Sequence, residues 1–233
     1  MVISLGREGL MTYVRRQLDY FFPDGDKAPS EEQLRSGFDL ALERLEFCFS
    51  RINPRLPFQV DGGAVMNHLH SDSYCMFLYW FANSMFQLYG ESPFCSKLML
   101  LNRALHSIFI SYKCEMPSLF LMSHAVGSVI GNAKFEDGLV IFQNVTVNTS
   151  DKPINGSKPV LGRYCFLGSG AKIIGSPRIG DFVTVGVNAC INNFDVPDRS
   201  IVYIDRGTGK PVIKPMANEQ ALRYAASYFV AGE

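Results

Sequence analysis

The chain has no excess of charge of either sign: 22 lysines and arginines stand against 22 aspartates and glutamates in 233 residues. A surface that coats nucleic acid needs a surplus of cations, so no nucleic-acid partner is expected, nor an electrostatic clamp on a membrane. Long apolar runs are missing as well. The longest, Tyr74 to Ala82, falls short of the roughly 20 residues that cross a bilayer, and no membrane insertion is expected. The N-terminus shows no cationic stretch, apolar run and small-residue cleavage site in succession, so no secretory leader is expected. The cysteines, Cys48, Cys75, Cys95, Cys114, Cys165 and Cys190, form no C-x-x-C pair. In so apolar a chain they predict buried free thiols of a cytoplasmic protein, not a disulfide framework. Histidine is scarce, with four in all. His68-Leu69-His70 could chelate a metal only if extended, since residues two apart on a helix point away from each other. What is abundant is apolar: 47% hydrophobic and 12% aromatic residues exclude a disordered chain and leave a small molecule or a second copy as the expected partner.

The pattern is helical up to about residue 113. Leu5 to Phe22 predicts a first helix, stopped by Phe22-Pro23-Asp24-Gly25. Ser30-Glu31-Glu32-Gln33 is a capping box, and it opens a stripe of Leu34, Phe38, Leu42, Leu45 and Phe49 at three- and four-residue spacing. Tyr74 to Tyr89 is apolar nearly all round, which predicts a helix buried on several sides. Gly90 stops it, and Ser92-Pro93 starts another, expected to run to about Tyr112.

A period of six then replaces the helical one. Leu161, Leu167, Ile173, Ile179, Val185 and Ile191 recur without a miss, and Phe135, Ile141 and Val147 keep the same step upstream. The following residues are Gly162, Gly168, Ile174, Gly180, Gly186 and Asn192, and two before each aliphatic sit Pro159, Cys165, Ala171, Pro177, Val183 and Ala189. Neither a helix nor a flat sheet has this period. A coil of short strands does, with aliphatics pointing into a narrow core and glycines where the backbone is crowded or has φ > 0. Such coils bury their core only by stacking. The step from Val147 to Leu161 breaks the rhythm with an irregular loop. The expected architecture is a helical domain at 1–113, a parallel β-helix at 114–215 and a C-terminal helix or tail at 216–233, with Met216 to Val230 folding back on the prism.

These residues resemble the hexapeptide-repeat acyltransferases, and the order of parts is similar to serine acetyltransferases. Ser123-His124-Ala125-Val126-Gly127-Ser128-Val129-Ile130-Gly131 resembles that family's D-H-A-T-G-I-V-I-G. Gln143-Asn144-Val145-Thr146-Val147 resembles Q-S-V-T-L, and Gly168-Ser169-Gly170-Ala171-Lys172-Ile173-Ile174-Gly175 resembles G-A-G-A-K-I-L-G. The resemblance implies a left-handed β-helix, an acetyl-coenzyme-A-dependent acetyltransferase without a metal, and a homotrimer or dimer of trimers. His124 matches the catalytic histidine, and imidazole suits the task of taking a hydroxyl proton near neutrality. Glu115 stands nearer in sequence than the family's orienting aspartate. It reads equally as a partner of His124 or as a surface glutamate.

The family's groove for coenzyme A maps onto Gly168, Ser169, Gly186 and Val187, and backbone N–H groups near Asn148 and Thr149 would hold an oxyanion. The acceptor side departs from the family. Ser123 replaces an aspartate, Ser157 an arginine and Lys158 a histidine, which points to a sugar or related metabolite ahead of free serine. Two alternatives remain: a true serine O-acetyltransferase of cysteine biosynthesis, and a non-catalytic prism serving assembly. Lys158, Lys172 and Lys210 are the local cations expected to meet an anionic cofactor.

Overall fold

The computed structural model describes residues 1–26, 28–148 and 158–230, and the chain divides into two compact units, Met1–Lys113 and Cys114–Glu233. In the first, β1 (Val2–Ile3) precedes α1 (Gly6–Phe21) and α2 (Glu31–Phe49); β2 (Gln59–Val60) and β3 (Gly63–Met66) precede α3 (Ser71–Tyr89), α4 (Pro93–His106) and β4 (Phe109–Ile110). The capping box forms. Ser30 Oγ accepts from Gln33 N and the Gln33 side chain accepts from Ser30 N, satisfying donors that a helix start leaves orphaned. All five stripe residues of α2 are buried.

α3 is buried at every position from Asp72 to Met85, so the polar groups along it need internal partners. Asn83 Nδ2 donates to Tyr112 O at 2.8 Å, and the Arg44 guanidinium donates to Asn83 Oδ1 at 2.9 Å while lying over Trp80. The fourth helix is shorter than expected. It ends at His106 because Ser107 adopts a left-handed φ of 53° and its N–H closes the last turn on Arg103 O. Phe109 and Ile110, which follow, make a strand, not a further turn. The three-stranded sheet β1-β3-β2 was not foreseen; its β2–β3 hairpin turns on Asp61-Gly62, both with positive φ, a two-residue turn signature present in the sequence.

The second unit is the coil. Its strands are β5 (Phe120–Met122), β6 (Val129–Ile130), β7 (Lys134–Phe135), β8 (Leu139–Ile141), β9 (Thr146–Val147), β10 (Val160–Leu161), β11 (Phe166–Leu167), β12 (Lys172–Ile174), β13 (Arg178–Ile179), β14 (Thr184–Val185) and β15 (Cys190–Asn192). They stack in parallel into three faces: β5-β8-β11-β14, β6-β9-β12-β15 and β7-β10-β13. One coil takes 18 residues, three hexads, as in Val160↔Arg178, Phe166↔Thr184 and Ile173↔Ile191. The step is 26 at Val160↔Lys134, and the additional residues fall between β9 and β10. Every hexad aliphatic from Leu161 to Ile191 is at most 3% exposed. Burial of such a side chain contributes about 1.5–3 kcal/mol, which is why the six-residue period is so clean. The glycines that follow the aliphatics serve crowding, not positive φ. A Cβ on Gly168 would stand 2.9 Å from Val185 O.

The six-residue rhythm ends after Ile191, and the chain leaves the coil as an unforeseen hairpin. β16 (Ser200–Ile204) pairs in parallel with β14 and antiparallel with β17 (Pro211–Pro215). Helix α5 (Asn218–Tyr228) then folds back on the prism, as expected. Tyr228 meets the rings of Phe142 and Phe166 at 6.3 and 5.5 Å, and Phe229 meets Tyr164 at 6.3 Å. All six cysteines are free, five of them buried. Among the described residues, no helix is long and apolar enough to cross a membrane.

Candidate active site

One prism edge is formed by the turns from β5 to β6, β8 to β9, β11 to β12 and β14 to β15. Its backbone is held from coil to coil by a ladder in which Ser123, Phe142, Gly168 and Gly186 N–H groups donate to Ile141, Leu167, Val185 and Val202 carbonyls. A positive φ stands at the same place in every turn, at Gly127, Asn144, Gly170 and Asn188. Glycine and asparagine alternate because a Cβ on Gly127 or Gly170 would occupy the place of the next Asn Oδ1.

The first turn is two residues longer than the others. Phe120↔Leu139 is a step of 19 and Val129↔Thr146 a step of 17, so two residues are gained between β5 and β6. His124 lies in that bulge. It is exposed, has φ of 51°, and its carbonyl accepts from Val126 N at 2.7 Å. A non-glycine residue at positive φ is uncommon, although histidine is among the residues enriched there. Ser123 sits half-buried beside His124, tied to Ile141 O.

Below the bulge, Val126, Gln143, Ser169 and Val187 occupy equivalent places, because Asn144, Gly170 and Asn188 N–H groups donate to Val126, Gln143 and Ser169 carbonyls. No residue in this row is charged. Gly168 and Gly186 are accounted for by coil stacking, since a Cβ on either would stand 2.9 Å from a carbonyl of the next coil. Ser169, half-buried, and Val187, 63% exposed, are the members of that set open to a ligand. Gln143, in the sequence motif but given no role by it, buries its Oε1 without a donor among the described residues. Such an acceptor costs stability unless a ligand satisfies it. Its signal was its place in the row, which only the register reveals.

The remaining expected residues lie at the next edge, where β6 turns to β7 and β9 leads to β10. Asn148 has φ of 29° and is 7% exposed; its Nδ2 donates to Asn132 O at 2.8 Å. The backbone N–H expected to hold an oxyanion donates instead to Ile173 O at 2.9 Å, so the stacking of coils has taken that donor. Glu115 and Lys158, both exposed, flank Cys114, whose Sγ donates to Gly131 O at 3.4 Å. Burial pushes the Cys114 thiol up to about 12, the Glu115 carboxylate adds to this, and the Lys158 ammonium opposes it. This edge therefore gathers Glu115, Asn148 and Lys158, while His124, Ser169 and Val187 share the other. Thr149 and Ser157 lie outside the described residues. Lys172, on the outer side of β12, donates from Nζ to Gly170 O at 3.1 Å.

The other histidines are engaged in the first unit. His68 Nδ1 pairs with Ser4 Oγ at 2.7 Å, His70 caps α3 by accepting from Ser73 N, and His106 Nδ1 meets Asn102 Oδ1 at 2.8 Å.

A helical unit ahead of a left-handed hexapeptide β-helix is a fold shared with solved serine acetyltransferases, and the chain is similar to serine acetyltransferases in sequence over part of its length. It is 34% identical to the serine acetyltransferase of Helicobacter pylori over 80 residues, 34% of this chain and 46% of that protein. The serine acetyltransferase of Brucella abortus superposes with a TM-score of 0.66 at 20% identity, covering 91% of this chain and 85% of that one. A serine acetyltransferase solved in complex with CoA gives 0.61 at 18% identity, covering 79% and 73%. The matched stretch spans less than half the length of the curated relatives. No family model matches the chain.

Proposed function

We propose that the chain is an acetyl-coenzyme-A-dependent O-acetyltransferase whose acceptor is serine. The observation that carries this reading is His124, set by a two-residue bulge at the head of an uncharged row in a prism similar to serine acetyltransferases. Acetyl-coenzyme A supplies an acyl group activated as a thioester. His124 takes the proton of the acceptor hydroxyl as that oxygen becomes the nucleophile, and returns it to the departing thiol. Ser169 and Val187 line the donor's path along the edge, and Gln143 Oε1 offers an acceptor to an N–H of donor or substrate. The names of the relatives favour serine over the sugar suggested by Ser123, Ser157 and Lys158. Those three substitutions support a sugar or other hydroxyl compound as the second reading.

The two groups of site residues occupy different edges of one prism. We propose that copies associate through their prisms, so that the edge bearing Glu115, Asn148 and Lys158 of one chain faces His124 of its neighbour. The free cysteines fit a reducing compartment such as the cytoplasm. The test is thiol release from acetyl-coenzyme A with serine and a panel of sugars and amines. Serine-dependent release that drops about 10²–10⁴-fold in His124→Ala is expected. A preference for a sugar would establish the second reading, and release insensitive to His124→Ala would remove both.

A further inference from the structure

The hairpin that follows the coil runs past the His124 edge, where β5, β8, β11 and β14 each turn. Val202 pairs with Val185, so Tyr203 lies against Gly186, and a Cβ on Gly186 would stand 3.6 Å from Tyr203 Cα. At that point β14 bends into the next face. β16 continues straight, with Ile204 still paired to Pro211. The tip, residues 205–210, therefore projects beyond the edge, at the far end of the row that His124 heads.

That tip is built to hold its shape. Asp205 Oδ1 accepts from both Thr208 N and Thr208 Oγ1 at 2.8 Å, Asp205 N donates to Lys210 O at 2.9 Å, and Gly209 takes a φ of 67°. The Asp205 carboxylate, held below its ordinary range chiefly by the Thr208 hydroxyl, is thus turned inward on the loop. Arg206 and Lys210 stand exposed on either side of it, and neither is in an ion pair among the described residues.

Length and charge then coincide. From Ser123 to Tyr203 the edge rises by four coil steps, about 19 Å at about 4.8 Å per strand. The row between is uncharged. A pantetheine arm is uncharged too, and its about thirteen bonds from sulfur to the first phosphorus extend to roughly 16 Å. With the thioester at His124, the phosphates of the same molecule reach the level of the hairpin.

Resting on the acetyl-coenzyme A reading, we infer that Arg206 and Lys210 form a phosphate clamp that holds the diphosphate and 3′-phosphate of the donor. Guanidinium and ammonium groups on a braced loop suit phosphate oxygens. The clamp ranks donors: coenzyme A should bind better than 3′-dephospho-coenzyme A, and both better than acetylpantetheine.

The test is calorimetric titration of the full chain with these three compounds, for wild type, Arg206→Gln/Lys210→Gln and His124→Ala. The double variant should bind coenzyme A at least about tenfold more weakly, with acetylpantetheine unchanged and the thermal midpoint retained. A loss shared equally by coenzyme A and its 3′-dephospho form assigns the clamp to the diphosphate; a loss confined to coenzyme A assigns it to the 3′-phosphate. Unchanged affinity for both overturns the clamp while leaving the donor reading intact. If wild type binds none of them, clamp and donor reading fall together. His124→Ala should keep its affinity for coenzyme A, separating binding from turnover.

Discussion

Gly131 shows how little tolerance the prism has at single positions. A Cβ there would run into the Asn148 carbonyl oxygen and stand 2.9 Å from Val147 O, both backbone atoms that cannot swing aside. Gly131→Ala should therefore cost about 3 kcal/mol or more in chemical denaturation, and an unaltered midpoint would show that the coils can part there. His106 carries a different liability. Burial lowers its pKa to about 4, the ring staying neutral against Asn102. An unfolded histidine binds a proton below about 6.5, so the unfolded state takes up more protons between roughly pH 4 and 6.5, and stability must fall as the pH drops through that window. Thermal scans from pH 7 to 4 should show the decline, and it should be shallower in His106→Gln. His124 was legible as a residue from its motif. Its bulge was not, because only strand register reveals two additional residues in a turn.

At the level of elements, the helices of the first unit were readable wherever a local signal began them. Ser30 and Pro93 mark starts that the structure uses. The end of α4 was not readable, since a left-handed serine carries no compositional mark comparable to Gly90. The C-terminal helix was visible as an amphipathic stretch, but its seat was not. Tyr228 covers Phe142 and Phe166, aromatic residues that the outer side of a β-helix face would otherwise present to water. Tyr228→Ala should loosen α5, raise its amide exchange and increase dye binding to exposed aromatics. Exchange rates in α5 equal to those of wild type would show that the ring contacts do not hold it.

For the molecule as a whole, the separation of the candidate site onto two edges makes a strong claim about assembly. His124→Ala chains and Lys158→Ala chains, each impaired alone, should regain part of the activity when co-expressed, since mixed assemblies pair an intact His124 edge with an intact Lys158 edge. Mixtures no better than the separate variants would place the whole site within one chain. Sedimentation of the wild type should accordingly report more than one copy. The prism core is cooperative across the same distance. Ile173 is fully buried between Val147 and Ile191, and Ile173→Ala should cost about 2–5 kcal/mol.

The coil was legible before any contact was known, because a six-residue period of aliphatics followed by crowded glycines fits neither a helix nor a flat sheet. The sequence by itself also determined the helical first half and singled out His124. Tertiary structure alone decided which of the remaining residues share an edge with that histidine. Asn148 and Lys158 follow it closely in sequence, yet a third of a coil turns them onto another edge, while Tyr203 and the hairpin tip, some four coils on, return to its line. A coil converts distance along the chain into position around an axis, and that conversion is set by the residues gained or lost at each turn.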